Sequence, residues 1–143
     1  MTRGAYGKSY KSDSEIQSIS QLDWAYLAGV VDGEGSITLK FNGTSYTLNL
    51  RVHNTDLILI TWIRDVFGGS IVSWQPKESG LRRKVCYANS WNGKFALPIL
   101  RGVQPYLKVE NKVSRAKQVI IFEEGNNPDL NDSIIQTVNI GHK

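Results

Sequence analysis

The stretch Leu27-Ala-Gly-Val-Val-Asp-Gly-Glu-Gly35, opened by Leu22-Asp-Trp-Ala-Tyr26 and closed by Ser36-Ile-Thr-Leu39, decides how this chain reads. From Leu22 to Val31 the run is apolar on every side of a helix, broken only by Asp23, which predicts a helix buried all round. Ala25, Gly29 and Gly33 fall at i, i+4 and i+8 and so form one stripe of small residues. Glycine costs helix stability, and two on one face imply that another backbone comes close there. Two acids, Asp32 and Glu34, stand at the helix end between glycines. A carboxylate at the foot of a close helix contact is costly unless it caps backbone groups or binds a cation.

Downstream of this helix the pattern changes period. Ser36, Thr38, Lys40 and Asn42 alternate with Ile37, Leu39 and Phe41. Thr47, Asn49, Arg51 and His53 alternate with Leu48, Leu50 and Val52, and Asn42-Gly43 between the two runs is a hairpin signal. Alternation of this kind puts one sheet face on a core and the other in solvent. No acid occurs from Ser36 to Thr55. The polar face holds side chains able to reach base edges or phosphates, and a two-stranded ribbon fits the DNA major groove. The plainer reading is an ordinary wet sheet face, which would normally carry some Glu.

Asn54-Thr55-Asp56 reads as a helix start, and Leu59, Trp62, Ile63 and Val66 recur at helical spacing until Gly68-Gly69. A second strand pair is expected over residues 71–75 and about 82–90, joined by Pro76 to Gly80. Ser73, Gln75 and Lys77 are expected on the outer face of its first strand. In its second strand Cys86 and Ala88 look like the core side, turning Arg83, Val85 and Tyr87 outward. Arg82-Arg83-Lys84 at the turn is placed to grip phosphates in either register. Trp91 to Arg101 reads as a helix kinked or broken by Pro98. A last helix from about Val109 to Glu123 shows Val113, Ala116 and Ile120 on one face. The order is helix, two strands, helix, two strands, helix, helix, with helices on one sheet face. Residues 1–19 read as a polar arm carrying Arg3, Lys8 and Lys11, residues 20–125 as one domain, and residues 126–143 as a polar tail.

Residues 27–35 resemble the signature of the LAGLIDADG homing endonucleases, matching at Leu27, Ala28, Gly29, Asp32 and Gly35. Val30 and Val31 are conservative replacements, and Glu34 stands where that family has a metal-binding Asp or Glu. The resemblance covers about Leu22 to Glu124. It implies the family's α+β fold, αββαββα, with an antiparallel saddle-shaped sheet and helices on one face. It also implies sequence-specific, divalent-metal-dependent double-strand DNA cleavage at a long near-palindromic site. Mg²⁺ would be held by Glu34 and the Gly33 carbonyl, and Mn²⁺ or Ca²⁺ could take the same sites. A chain with one signature supplies one such acid, so the resemblance implies a homodimer in which Ala25, Gly29, Asp32 and Gly33 face a second copy.

Two further residues carry over by position. Tyr106-Leu107-Lys108 after Gln104-Pro105 resembles the family's segment ending in a lysine that projects into the active site, giving Lys108 the role of polarising the scissile phosphate. Asn54 stands where the family often has a Gln or Asn ordering the water shell; a plain helix N-cap is the alternative. Leu57 to Ile60 are apolar where some members place another basic residue, so that group has no counterpart here, Arg51 being the available substitute. His53 reads as a polar residue of the sheet face.

Composition bounds the rest. A chain of 143 residues with 41% apolar content is about one domain and can bury a core. There is neither a transmembrane stretch nor a signal-peptide core, and the single cysteine, Cys86, gives no internal disulfide. An intracellular protein with no membrane partner is expected. Net charge is +4, but Gly35 to Lys112 holds eleven Lys/Arg against Asp56, Asp65, Glu78 and Glu110. Such a local excess suits a polyanion partner, most simply nucleic acid, the plainer reading being a solvated basic face; double-stranded DNA is the partner that the resemblance implies. Two other classes stay open: a non-cleaving binder on the same fold, either a DNA-binding regulator or an RNA-binding intron maturase, and an unrelated α+β module that binds protein or metabolite.

Overall fold

The computed structural model describes residues 8–41, 43–75 and 84–125, with only the backbone for Lys8 and Gly125. Among the described residues, five strands form one antiparallel sheet. They are β1 (Lys8–Ser9), β2 (Gly35–Phe41), β3 (Tyr46–Asn54), β4 (Gly69–Trp74) and β5 (Cys86–Asn92), in the order β1-β4-β5-β3-β2. The helices are α1 (Asp13–Gln17), α2 (Gln21–Glu34), α3 (Leu57–Phe67), α4 (Ala96–Val103) and α5 (Glu110–Gly125). The fold is therefore α+β.

The alternating hairpin behaves as its pattern predicts. Ile37 and Leu39 of β2 and Leu48, Leu50 and Val52 of β3 are buried and join Trp24, Leu27, Ala28 and Val31 of α2 in one core. Ser36, Thr38 and Lys40, paired with Arg51, Asn49 and Thr47, line the opposite face. Gly43, at the turn between these strands, has φ +103°, a conformation that disfavours any side chain.

Helix boundaries follow local chemistry. Ser20 accepts the Asp23 N–H at the start of α2, and Asp56 accepts those of Ile58 and Leu59 at the start of α3. The inward face of α3 is Ile60, Ile63 and Phe67, while Leu59, Trp62 and Val66 pack at its margins. Trp91 Nε1 donates to the Phe67 carbonyl and Asn89 Nδ2 to that of Gly68, so β5 satisfies the last carbonyls of α3 from inside the core. The helix expected from Trp91 begins later, because Trp91 and Asn92 still pair with β3 and a 3₁₀ turn follows at Gly93–Phe95. Pro98 falls in the first turn of α4, where its missing N–H breaks nothing, so no kink results. Gly102 lets α4 sit against Trp24: a Cβ there would fall 2.4 Å from the indole ring.

The N-terminal segment differs from the expected polar arm. β1 pairs with β4, Lys8 opposite Ser70 and Ser9 opposite Gly69. α1 is held by a capping box in which Ser12 accepts the Glu15 N–H and the Glu15 carboxylate accepts that of Ser12. Those bonds hold the Glu15 carboxyl below the usual range. Arg3, Asn42, Lys77, Arg82, Arg83 and the 126–143 tail lie outside the described residues.

The second strand pair corrects the expected faces. Arg51 is opposite Ser90 and Ser90 opposite Ser70; His53 is opposite Ala88 and Ala88 opposite Val72. The open face of β4 and β5 thus holds Ser70, Val72, Trp74, Cys86, Ala88, Ser90 and Asn92. Ser73 and Tyr87 pair with each other on the helix-bearing face, and Tyr87 packs against the core. Gln75 lies past the last paired residue of β4.

Candidate functional site

The site is built where α2 ends and the sheet begins. Glu34 is the last residue of α2 and Gly35 the first of β2, so the acid sits at the junction of helix and sheet. A Cβ on Gly35 would fall 2.8 Å from the Val31 backbone, so only glycine makes this tight a passage. Asn54, last residue of β3, reaches across and donates from Nδ2 to Glu34 Oε2 at 2.7 Å. Its Oδ1 accepts the Asp56 N–H at 2.8 Å, an Asx turn that fixes the amide's orientation. The helix cap is therefore Asp56, and Asn54 links that turn to Glu34.

Asp32, expected at an interface between copies, has partners within its own chain. Its Oδ2 accepts the Lys108 N–H at 2.8 Å and its Oδ1 the Val109 N–H at 3.0 Å, fastening the residues before α5 to the end of α2. Both carboxylate oxygens thus accept a backbone N–H from within the chain. The same bonds hold the Lys108 backbone against Asp32, two residues before Glu34, with the Lys108 side chain exposed.

Lys112 is a residue that sequence reading missed. Its Nζ donates to the Val31 and Asp32 carbonyls, both at 3.0 Å; the Val31 carbonyl also accepts the Gly35 N–H, whereas that of Asp32 is among the acceptors the helix end leaves open. Burial holds its ammonium below the usual lysine range, Arg115 adds repulsion, and Asp32 opposes both. Arg115, one turn along α5, is buried and likewise lowered by desolvation. Nothing in the sequence signals a contact across some 80 residues.

The stripe Ala25, Gly29 and Gly33, expected to meet a second backbone, is exposed within the single chain. A Cβ at Gly29 or Gly33 would meet nothing within 4 Å. Together with Tyr26, Val30, Glu34, Asn54 and Leu59 these residues line a shallow groove leading to the acid. Beside it Leu22 is 83% and Ile58 82% exposed.

On the open sheet face, Thr38, Lys40, Arg51 and His53 share one side by register, and no Asp or Glu occurs in the described strands. Asn49 differs from its neighbours. It is only 4% exposed, and its amide donates to the Asn92 side chain, so it serves the sheet before any ligand. The Arg51 guanidinium lies 5.1 Å from the Trp74 ring centroid.

A hard divalent cation fits the donor set. Glu34 uses one oxygen for Asn54, and the Gly33 carbonyl lies at a helix end, where intrahelical donors run out. Among the described residues no three His, Cys, Asp or Glu side chains gather, and no helix is long and apolar enough to cross a membrane. No protein-family model matches the chain, and comparison with curated proteins finds no match.

Proposed function

We propose that this chain is a homodimeric, divalent-metal-dependent DNA endonuclease of the LAGLIDADG homing type, cutting both strands of a near-palindromic site. The observation that carries the reading is Glu34, oriented by Asn54 at 2.7 Å, at the meeting point of an exposed small-residue groove and a sheet face with no Asp or Glu among its described strand residues. Phosphodiester hydrolysis needs the phosphate charge neutralised, a water activated and the leaving oxygen stabilised, and bound divalent cations supply all three. Glu34 and the Gly33 carbonyl are the residues to hold such an ion. Asn54 orients Glu34, and Lys108 is the cation to polarise the phosphate. The Gly29/Gly33 groove receives the same groove of a second copy, bringing two acids together and setting the two-fold symmetry of the target. Arg51, Lys40, Thr38 and His53 face the DNA.

The test is digestion of a randomised-site DNA library with Mg²⁺ or with EDTA, comparing wild type and Glu34→Gln. Metal-dependent double-strand breaks at one near-palindromic site, lost in the variant, are expected. Selective retention of DNA without cutting would move the protein to the non-cleaving binders, a regulator or an intron maturase.

A further inference from the structure

Resting on the DNA-binding reading, we propose that the open sheet face reads duplex DNA in two chemically different halves, the β4–β5 half taking thymine methyl groups against Trp74 and Val72. The β2–β3 half presents hydrogen-bonding and cationic groups, among them Lys40, Arg51 and His53. The register gives the other half a different character: Trp74 is opposite Cys86, and Val72 opposite Ala88, with no charged residue among them. Trp74 is 38% exposed, a large apolar surface on a face otherwise suited to a polyanion.

The two halves are joined. Arg51 of β3 leans across β5 so that its guanidinium lies over the Trp74 ring of β4. Ala88, midway along that diagonal by register, is fully buried although it is on the open face. An arginine stacked on an aromatic ring uses its flat face and keeps its N–H edge for hydrogen bonding. In the major groove the one apolar group on any base edge is the thymine C5-methyl, and the commonest arginine partner is guanine. The surface therefore suits a guanine under Arg51 followed by thymines under Trp74 and Val72. Continuity with the β2–β3 half, which carries Lys40 and Arg51 on a face with no Asp or Glu among its described strand residues, assigns this apolar patch to DNA rather than to a protein partner.

The experiment starts from duplexes selected from a random pool in EDTA, which keeps them uncut. Each thymine of the selected site is then replaced by deoxyuridine, which removes only the methyl, and affinity is measured for wild type, Trp74→Ala and Val72→Ser. Expected is a short run of positions where deoxyuridine weakens wild-type binding about fourfold, the effect of losing one buried methyl. The effect should vanish at those positions in one or other variant. Specific binding indifferent to every deoxyuridine, a selected site with no thymine, or a methyl effect unchanged in both variants would overturn the inference while leaving the DNA-binding reading intact. Failure to select any duplex would instead remove that reading, and the inference with it.

Discussion

The Asn54 amide, at the end of β3, donates to the Glu34 carboxylate at the end of α2, and its carbonyl oxygen accepts the Asp56 N–H. One side chain therefore ties the start of α3 to the candidate metal ligand. Asn54→Ala should cost about 1 kcal/mol of stability through the two lost hydrogen bonds. Its effect on cleavage should be larger, about tenfold or more, because a partner that orients a metal ligand usually matters that much. Denaturant melts and Mg²⁺ titrations of the cleavage rate measure the two effects separately. An unchanged Mg²⁺ dependence would mean that Asn54 serves the turn alone.

Lys112 and Asp32 interlock α2 and α5 from both sides. The Asp32 carboxylate takes two N–H groups ahead of α5, and the Lys112 ammonium takes two carbonyls at the end of α2. The folded chain holds the Lys112 pKa below the ordinary 10.5, chiefly by burial. Between that lowered value and 10.5 the unfolded chain binds more protons, so stability rises with pH across this window. The cost of burying the charge is fully present below the window and relieved within it. Lys112→Met lacks this titration. Relative to the variant, the wild type should gain stability as pH rises into the alkaline range, and a flat difference in denaturant midpoints would contradict it.

Arg51 and Asn49 alternate on the same face but should respond differently to truncation. Asn49 is covered and bonded to Asn92, whereas Arg51 stands over Trp74. Arg51→Ala should relax base preference and cost about 1–3 kcal/mol at one position of the site if its contact is bidentate. Asn49→Ala should instead lower stability by about 1 kcal/mol, with little change in base preference. Affinity against a panel of single-base variants separates the two. Equal losses on all sequences for Arg51→Ala would make it a phosphate contact.

How much of this was legible beforehand depended on how strongly one face was marked. In β2 and β3 the buried inward positions Ile37, Leu39, Leu48, Leu50 and Val52 are all aliphatic, so alternation alone gave the faces. In β4 and β5 both faces mix small, polar and aromatic residues, and the core itself contains Asn89, whose Nδ2 donates to the Gly68 carbonyl. Hydropathy therefore pointed Ser73 and Tyr87 the wrong way and hid Trp74 and Val72. The N-terminal helix did carry a signal, Ser12-x-x-Glu15, that the polar composition around it masked. Glu34 stood out by its place between glycines at a helix end, whereas Asn54 was singled out by its position in the resembled family. The Asp32 and Lys112 interlock could not be found in either way, since it joins residues distant along the chain through backbone groups that every residue has.

Gly29 and Gly102 provide the sharpest contrast between a place kept empty inside the chain and one kept empty outside it. At Gly102 a Cβ would strike the Trp24 ring at 2.4–2.5 Å, so even Gly102→Ala should overpack the core, at about 1–3 kcal/mol. At Gly29 a Cβ would meet nothing, and replacing glycine inside a helix gains up to about 1 kcal/mol in propensity. Gly29→Leu should therefore keep its helix content while losing self-association, because the leucine fills the groove that a second copy would enter. Sedimentation is expected to show a monomer for this variant and a dimer for wild type, with double-strand cleavage lost and folding retained. A tight dimer persisting in Gly29→Leu would place the contact between copies on another surface.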